Sequence, residues 1–207
     1  GQSDKGCPKL RIHNDTFMNR STQEKYLGDI ITNDGKCDIN LKKRRERGFA
    51  IVAEILSIIK EVPLGKHKIA AGLLLRQAMF INGILTNSEV WYGLKDDKIK
   101  MLEEVDEHLL RKLLKAPSKT PIEALYLETG TIPINFIIKS RRMNYLHHIL
   151  TRKENELIYR FYKAQKRRPV KDDWVITIEK DKKDLGISMK DEHIKLMKKN
   201  KFKKMIK

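Results

Sequence analysis

The spacing of apolar residues changes from a strand-like to a helical pattern near residue 38. Before that point Leu10 and Ile12 alternate with charged residues, and Lys25–Thr32 is rich in β-branched and aromatic residues up to turn-forming residues 33–35. We predict a small antiparallel β-hairpin here. Two strands are only marginally stable in water without a larger sheet to join.

From residue 38 onward, apolar residues recur at helical spacing. The predicted helices span about 39–62, 66–85, 120–128, 154–166, 171–185 and 189–205, and two more begin at Asp96 and after Pro133. We therefore predict a mainly α fold, a helical bundle with a small N-terminal antiparallel β-hairpin.

The side-chain pattern also predicts which helix faces are buried. The first helix has a basic first half and an apolar second half, so we expect its amino end to project outward and its carboxyl end to be buried. In the helix after Pro133 we expect His147 on the polar face and His148 partly buried. The second helix is expected to bury six residues: Ile69, Leu73, Leu74, Ala78, Ile81 and Leu85.

Positive charge is abundant and unevenly distributed. The 207 residues contain 44 Lys and Arg against 27 Asp and Glu, a formal net charge of +17. Residues 139–207 contribute 22 Lys and Arg and only 9 Asp and Glu, and a second basic run lies at 42–47. Concentrated positive charge attracts polyanions through steering and counterion release. A solvated face that serves solubility is the alternative, and two separate basic regions favour nucleic acid.

Catalytic motifs are lacking. The sequence contains no CxxC, HExxH, GxSxG, P-loop or GxGxxG motif. The adjacent pairs Asp96-Asp97 and Asp172-Asp173 lie at predicted helix starts, where helix capping is favoured over a metal site. We expect no complete active site, no metal site and no cofactor in this chain.

The sequence favours an intracellular location, nuclear or cytoplasmic, without distinguishing the two. Its apolar runs are too short to cross a bilayer, and Gly1 is not followed by the apolar segment of a signal peptide. Cys7 and Cys37 lack a disulfide framework. Because the chain does not begin with Met, we expect a fragment or a processed product.

The basic runs supply candidate contacts to a phosphate backbone. These residues are Lys42, Lys43, Arg44, Arg45, Arg47, Arg141, Arg142, Lys166, Arg167 and Arg168. Four aromatic residues lie near some of them and are suited either to stacking on unpaired bases or, as we favour, to core packing. They are Tyr159, Phe161, Tyr162 and Trp174.

Several short segments occur in a recognisable order. Lys25-Tyr26-Leu27-Gly28-Asp29, followed by Ile-Ile-Thr-Asn-Asp-Gly, resembles the KYLG segment of non-LTR (LINE-type) retrotransposon reverse transcriptases. The later segments, similar in order to the region after the polymerase palm in that family, are Ser88–Gly93, Leu110–Leu114, Leu125–Gly130 and Arg141–Leu150. The resemblance covers roughly residues 20–165.

The resemblance implies a division of the chain into four parts. Residues 1–36 would be the palm-end β-hairpin with a primer-grip-like strand that includes Tyr26, Leu27 and Gly28. Residues 37–116 would be the thumb-like helical bundle, residues 117–165 post-thumb helices, and residues 166–207 a basic C-terminal helical region.

The implied function is to bind the RNA template and DNA primer of an RNA-directed DNA polymerase. The catalytic Tyr-x-Asp-Asp pair, the further Asp and the Mg²⁺ ions of that family would belong to the upstream palm and fingers of the same polyprotein, and no catalytic residue is assigned here. Two alternatives stay open: a stand-alone basic helical nucleic-acid-binding module, and a protein-interaction helical bundle. No membrane partner is expected.

Overall fold

The structure, a computed structural model, describes residues 10–13, 16–18, 21–26, 29–33, 37–63 and 65–206. The chain divides into two compact units, Gly1–Asn40 and Leu41–Lys207. The fold is mainly α with small antiparallel sheets near the amino end, which confirms the predicted fold class.

The first unit contains two antiparallel hairpins. Strand β1 (Leu10–His13) pairs with β2 (Thr16–Met18), and β3 (Gln23–Tyr26) pairs with β4 (Asp29–Thr32). The amino-terminal segment, for which we predicted one hairpin, therefore contains two, and the second lies within residues 23–32. Tyr26 lies opposite Asp29, so only two residues join the strands, the connection length that hairpins use most often.

The second unit is helical. Its helices, of which α1 begins in the last three residues of the first unit, are α1 (Asp38–Ile58), α2 (Lys66–Leu75), α3 (Asn82–Ile84), α4 (Asp96–Leu114), α5 (Ile122–Thr129), α6 (Ile134–Leu150), α7 (Leu157–Arg167), α8 (Trp174–Asp184), α9 (Asp191–Leu196) and α10 (Lys199–Met205). Short 3₁₀ turns lie at Ile59–Glu61 and Ser88–Val90. Across the described ranges, none of these helices is long and apolar enough to span a bilayer.

Helix α1 buries one face along its whole length. The buried positions on this face, spaced three or four residues apart, are Leu41, Arg44, Gly48, Val52 and Ile55, and the spacing continues to the buried Ile59 of the following 3₁₀ turn. The expectation of an exposed amino end and a buried carboxyl end is therefore wrong. The pattern misled because Arg44 is a core position, while Phe49 and Ile58 near the apolar end are exposed.

Helix α2 buries a different face from the predicted one. It continues into α3 through a π-helical segment, Arg76–Ile81, and the buried residues on this path include Gly72, Arg76 and Phe80. Of the six residues predicted to be buried, Ile81 and Leu85 are buried and Ile69 and Leu73 are half-buried. Leu74 and Ala78 are exposed, which corrects the predicted set. Arg76 lies at the centre of the buried face, and because an arginine is normally assigned to the surface, the spacing of the buried residues was not recognised.

Helix α6 joins both halves of the helical unit. Its buried residues pack on α7–α10 in one apolar cluster that includes Met143, Leu146, Tyr162, Trp174 and Phe202. The predicted last helix is interrupted at Met197, which has an extended backbone. The break separates α9 from α10, and both Ile194 and Phe202 reach the cluster.

The two histidines of α6 have the opposite environments from those expected. His147 is buried, its ring stacks on Phe202 at 5.0 Å, and its Nε2 donates to the Met197 carbonyl at 2.8 Å. His148 is exposed. His147 is buried because the carbonyl freed by the interruption at Met197 satisfies its ring nitrogen.

Candidate nucleic-acid interface

The basic run of α1 is divided between the surface and the core. Lys42, Lys43 and Arg47 are exposed. Arg44 is buried, donates to the Ile84 carbonyl at 2.6 Å and lies over the Trp91 ring at 5.0 Å from its centroid. The exposed members can meet a phosphate backbone, whereas Arg44 connects α1 to the end of α3.

Arg45 is intermediate between the exposed cations of α1 and the buried Arg44. It is half-buried, its NH2 is 3.2 Å from Glu104 Oε2, and its guanidinium lies 5.1 Å from the Phe49 ring centroid. Much of its charge is therefore balanced by α4, and it offers less to a ligand than its neighbours on the helix.

The two arginines of α6 point into the protein. Arg142 is only 3% exposed; its Nε and NH2 donate to Asp181 at 2.5 and 2.9 Å, and its NH1 donates to the Trp91 carbonyl at 3.2 Å. Arg141 is half-buried and donates to the Leu85 carbonyl. Both guanidinium groups are thus engaged by the fold.

The basic residues at the end of α7 differ among themselves. Arg167 and Arg168 are exposed. Lys166 is also exposed, yet its Nζ forms an ion pair with Asp191, and it lies over the Tyr162 ring at 5.9 Å from the centroid. Arg167 and Arg168 are therefore better placed than Lys166 to contact a ligand.

Asp191 is the centre of a buried polar cluster that joins α7, α8 and α9. It accepts from the Tyr162 hydroxyl at 2.6 Å, from Lys182 Nζ at 2.8 Å and from Lys166. Burial would raise the pKa of Asp191, but the hydrogen bonds from Lys166, Lys182 and Tyr162 outweigh burial and lower the pKa to about 2. Asp191 is therefore a carboxylate at neutral pH and holds the basic helices in register.

The predicted primer-grip-like residues belong to the first unit. Tyr26, at the end of β3, is 63% exposed. Leu27 and Gly28 lie outside the described residues.

The aromatic residues near the basic groups separate into two sets. Tyr159, Tyr162 and Trp174 are buried, which confirms the packing interpretation for these three. Phe161 is 63% exposed on α7. Only Phe161 among the four has its ring available to solvent.

The exposed surface of the last third is more basic than its composition indicates. Between residues 139 and 206, seventeen Lys and Arg side chains are exposed, against four Asp and Glu side chains. The remaining carboxylates are buried or half-buried, as in the pairs of Asp181 with Arg142 and Asp191 with Lys182. Folding therefore buries or half-buries five of the nine acidic side chains between residues 139 and 206 but only four of the 21 basic ones.

Two cations of α7 were not predicted from the sequence, Arg160 and Lys163. They lie seven and four residues before the predicted contact Arg167, on the same exposed face of α7. Lys195 of α9 is 5.7 Å and Lys163 is 5.6 Å from the Tyr159 ring centroid, so α9 adds a cation beside this face. The helical spacing of 160, 163 and 167 was the signal in the sequence, and it was obscured by the denser run at 166–168.

The end of α6 carries further positive charge. Arg152 donates to His148 Nε2 at 2.9 Å. Partial burial, together with the charges of Arg152 and Lys199, lowers the pKa of His148. The neutral ring thus accepts from arginine in a region where positive potential disfavours a second proton.

Within the part of the chain that the structure describes, no group of three or more His, Cys, Asp or Glu side chains is arranged to hold a metal ion.

Comparison of the chain with protein-family models, with curated proteins and with solved structures gave no match.

Proposed function

We propose that this chain binds nucleic acid through its phosphate backbone, as the template–primer-binding portion of an RNA-directed DNA polymerase of the non-LTR retrotransposon type. The observation that carries the binding proposal is the excess of exposed cations between residues 139 and 206, where seventeen basic side chains face solvent with four acidic ones. Such a surface releases condensed counterions when it neutralises phosphates.

A second basic surface supports the same proposal. Lys42, Lys43 and Arg47 are exposed on α1, and the buried face of that helix anchors them to the helical unit. Cations on a rigid helix can meet successive phosphates without further ordering, which favours backbone binding over an irregular solvated tail.

The polymerase assignment is supported by the order of sequence segments that resemble the family, from Lys25-Tyr26-Leu27-Gly28 to Arg141–Leu150. It predicts a coding sequence that continues upstream of Gly1 into a palm with a Tyr-x-Asp-Asp motif. An initiator Met close before Gly1, with no polymerase body upstream, would contradict the assignment without affecting the binding proposal.

The binding proposal is tested by titrating the full chain with an RNA–DNA hybrid over a range of salt concentrations. We expect the Lys42→Ala/Lys43→Ala/Arg47→Ala variant to bind more weakly, with the slope of log K against log salt reduced by about 2 to 3, because up to three phosphate contacts are lost. A matched control removes three exposed charges elsewhere, in Lys112→Ala/Lys115→Ala/Lys119→Ala.

Equal slopes for the two triple variants would remove α1 from the interface. A wild-type chain with no salt-dependent affinity for the hybrid or for single strands would contradict the binding proposal as a whole.

A further inference from the structure

Helix α7 borders an apolar groove that the proposed backbone contacts do not explain. The groove encloses about 500 Å³, within the range of ligand-binding pockets. Its exposed lining residues, here called the rim, include Val90, Tyr92, Leu157 and Phe161, and the buried Tyr162 and Trp174 also line it. Among the described residues that line it, none is charged.

The floor of the groove is rigid and aromatic. Trp174 packs edge-on against Tyr145 at 5.8 Å and against Tyr162 at 6.3 Å between ring centroids. The indole Nε1 of Trp174 donates to the Glu89 carbonyl at 2.8 Å, so it does not require a partner from a ligand. The aromatic rings of the groove therefore offer an apolar contact surface to a bound ligand.

The rim is unusually exposed for its residue types. Leu157 is 78% exposed and Phe161 is 63% exposed, and Val90 and Tyr92, which also line the groove, are exposed. A concentrated set of exposed large apolar side chains beside a formed groove marks an interaction site.

A basic stripe runs along α7 beside this rim. We define it as Arg160, Lys163 and Arg167, which lie on the exposed face adjacent to Leu157 and Phe161 and line the neighbouring cavity with them. Within the described residues, no ion pair is formed by any of the three. The acidic residue in that cavity is Glu154.

We infer that α7 is a binding site for single-stranded nucleic acid, with phosphates on the basic stripe and unpaired bases stacked on Phe161 and turned into the apolar groove. The inference rests on the proposed function and specifies its ligand. Charge complementarity selects a polyanion, and exposed ring faces next to it select unpaired bases, because bases in a duplex are already stacked.

The test compares two probes on the full chain: a fluorescein-labelled ten-nucleotide oligouridylate and an RNA–DNA hybrid. We expect Phe161→Ala to weaken oligouridylate binding by about tenfold with an unchanged salt slope, since stacking is lost and no charge is removed. Leu127→Ala is the matched control, because Leu127 is an exposed apolar residue on α5. Hybrid binding is expected to change less than twofold.

Two further variants distinguish stacking from general apolar contact. Phe161→Trp is expected to retain oligouridylate affinity, whereas Phe161→Leu, which keeps apolar volume without a ring face, is expected to lose it.

A third variant tests the phosphate contacts. Arg160→Ala/Lys163→Ala/Arg167→Ala is expected to weaken oligouridylate binding and to reduce the slope of log K against log salt by about 2.

The outcomes separate this inference from the proposed function. Oligouridylate affinity that is unchanged in Phe161→Ala, while the wild type still binds the hybrid, would overturn the α7 site alone. Full affinity in Phe161→Leu would also overturn it and would indicate a groove for an apolar peptide. Loss of salt-dependent binding to both probes in the wild type would overturn the site and the proposed function together.

Discussion

Helices α1–α6 bury arginines in their packing, whereas helices α7–α10 expose most of their lysines and arginines. Arg44, Arg76 and Arg142 are each 6% exposed or less, and each donates to a carboxylate or a backbone carbonyl of another helix or segment. In α7–α10 both arginines are exposed, and the buried charged residues are Asp181, Lys182 and Asp191. Arginine is therefore a core residue at three positions in the first of these regions, whereas both arginines of α7–α10 are exposed.

The difference follows from what each group can satisfy. A planar guanidinium donates to two acceptors at once, so a buried arginine can pair fully with one aspartate, as Arg76 does with Asp106. A lysine ammonium is strongly hydrated and its stem can lie along an apolar surface while its charge stays in water. The lysine-rich carboxyl-terminal helices thus retain a core and a cationic surface together.

The largest expected effect breaks a buried pair in α1–α6. Asp106 is fully buried and accepts from Arg76 at 2.6 Å through both carboxylate oxygens. We expect Asp106→Ala to lower the free energy of unfolding by about 3–5 kcal/mol, measured by urea denaturation, because an uncompensated guanidinium remains buried.

The control for that pair replaces both partners. Arg76→Met/Asp106→Leu is expected to lose much less stability than Asp106→Ala, since no buried charge is left unpaired. A double variant as unstable as the single one would show that packing volume, rather than charge, makes this site sensitive.

A smaller effect is expected at the polar cluster of α7–α9. The folded-state pKa of Asp191, about 2, lies below the ordinary 3.8, so its stabilisation is present above pH 4 and is lost as the pH falls toward 2. We expect Asp191→Asn to lower the free energy of unfolding by about 1–2 kcal/mol at pH 7, a value reduced by solvent screening around the exposed Lys166.

The pH dependence distinguishes charge from geometry at Asp191. The stability difference between the wild type and Asp191→Asn is expected to shrink as the pH is lowered from 4 to 2. Glu192→Gln, at the exposed neighbouring position, is the control and is expected to be neutral. A difference that stays constant down to pH 2 would contradict an ionic role for Asp191.

The smallest effect is expected on the basic surface of α7. Arg160→Ala and Arg167→Ala are each expected to change the free energy of unfolding by no more than about 0.5 kcal/mol in urea denaturation, because both side chains are exposed and unpaired within the described residues. If either variant lowered the free energy of unfolding by more than about 1 kcal/mol, these arginines would also be structural, and the contrast with the buried arginines would be wrong.

Local sequence patterns were sufficient for most helices. Apolar residues at helical spacing predicted α4, whose Leu102, Val105, Leu109 and Leu113 are all buried, because that spacing places side chains on one face whatever lies opposite. The buried face of α1 was mispredicted, since Arg44 looks like a surface residue until the Ile84 carbonyl is brought to it. The α7 basic stripe could have been predicted from the sequence, because Arg160, Lys163 and Arg167 are spaced three and four residues apart.

The sequence by itself determined the mainly α fold, the approximate ends of most helices and the excess of positive charge toward the carboxyl end. Only the tertiary structure decided which cations face solvent, because a cation can be buried only where a distant acceptor meets it, as Asp181 meets Arg142 from 39 residues away. It likewise interrupted the last predicted helix at Met197, whose carbonyl accepts from His147. Periodicity describes one helix at a time, and these contacts join separate helices.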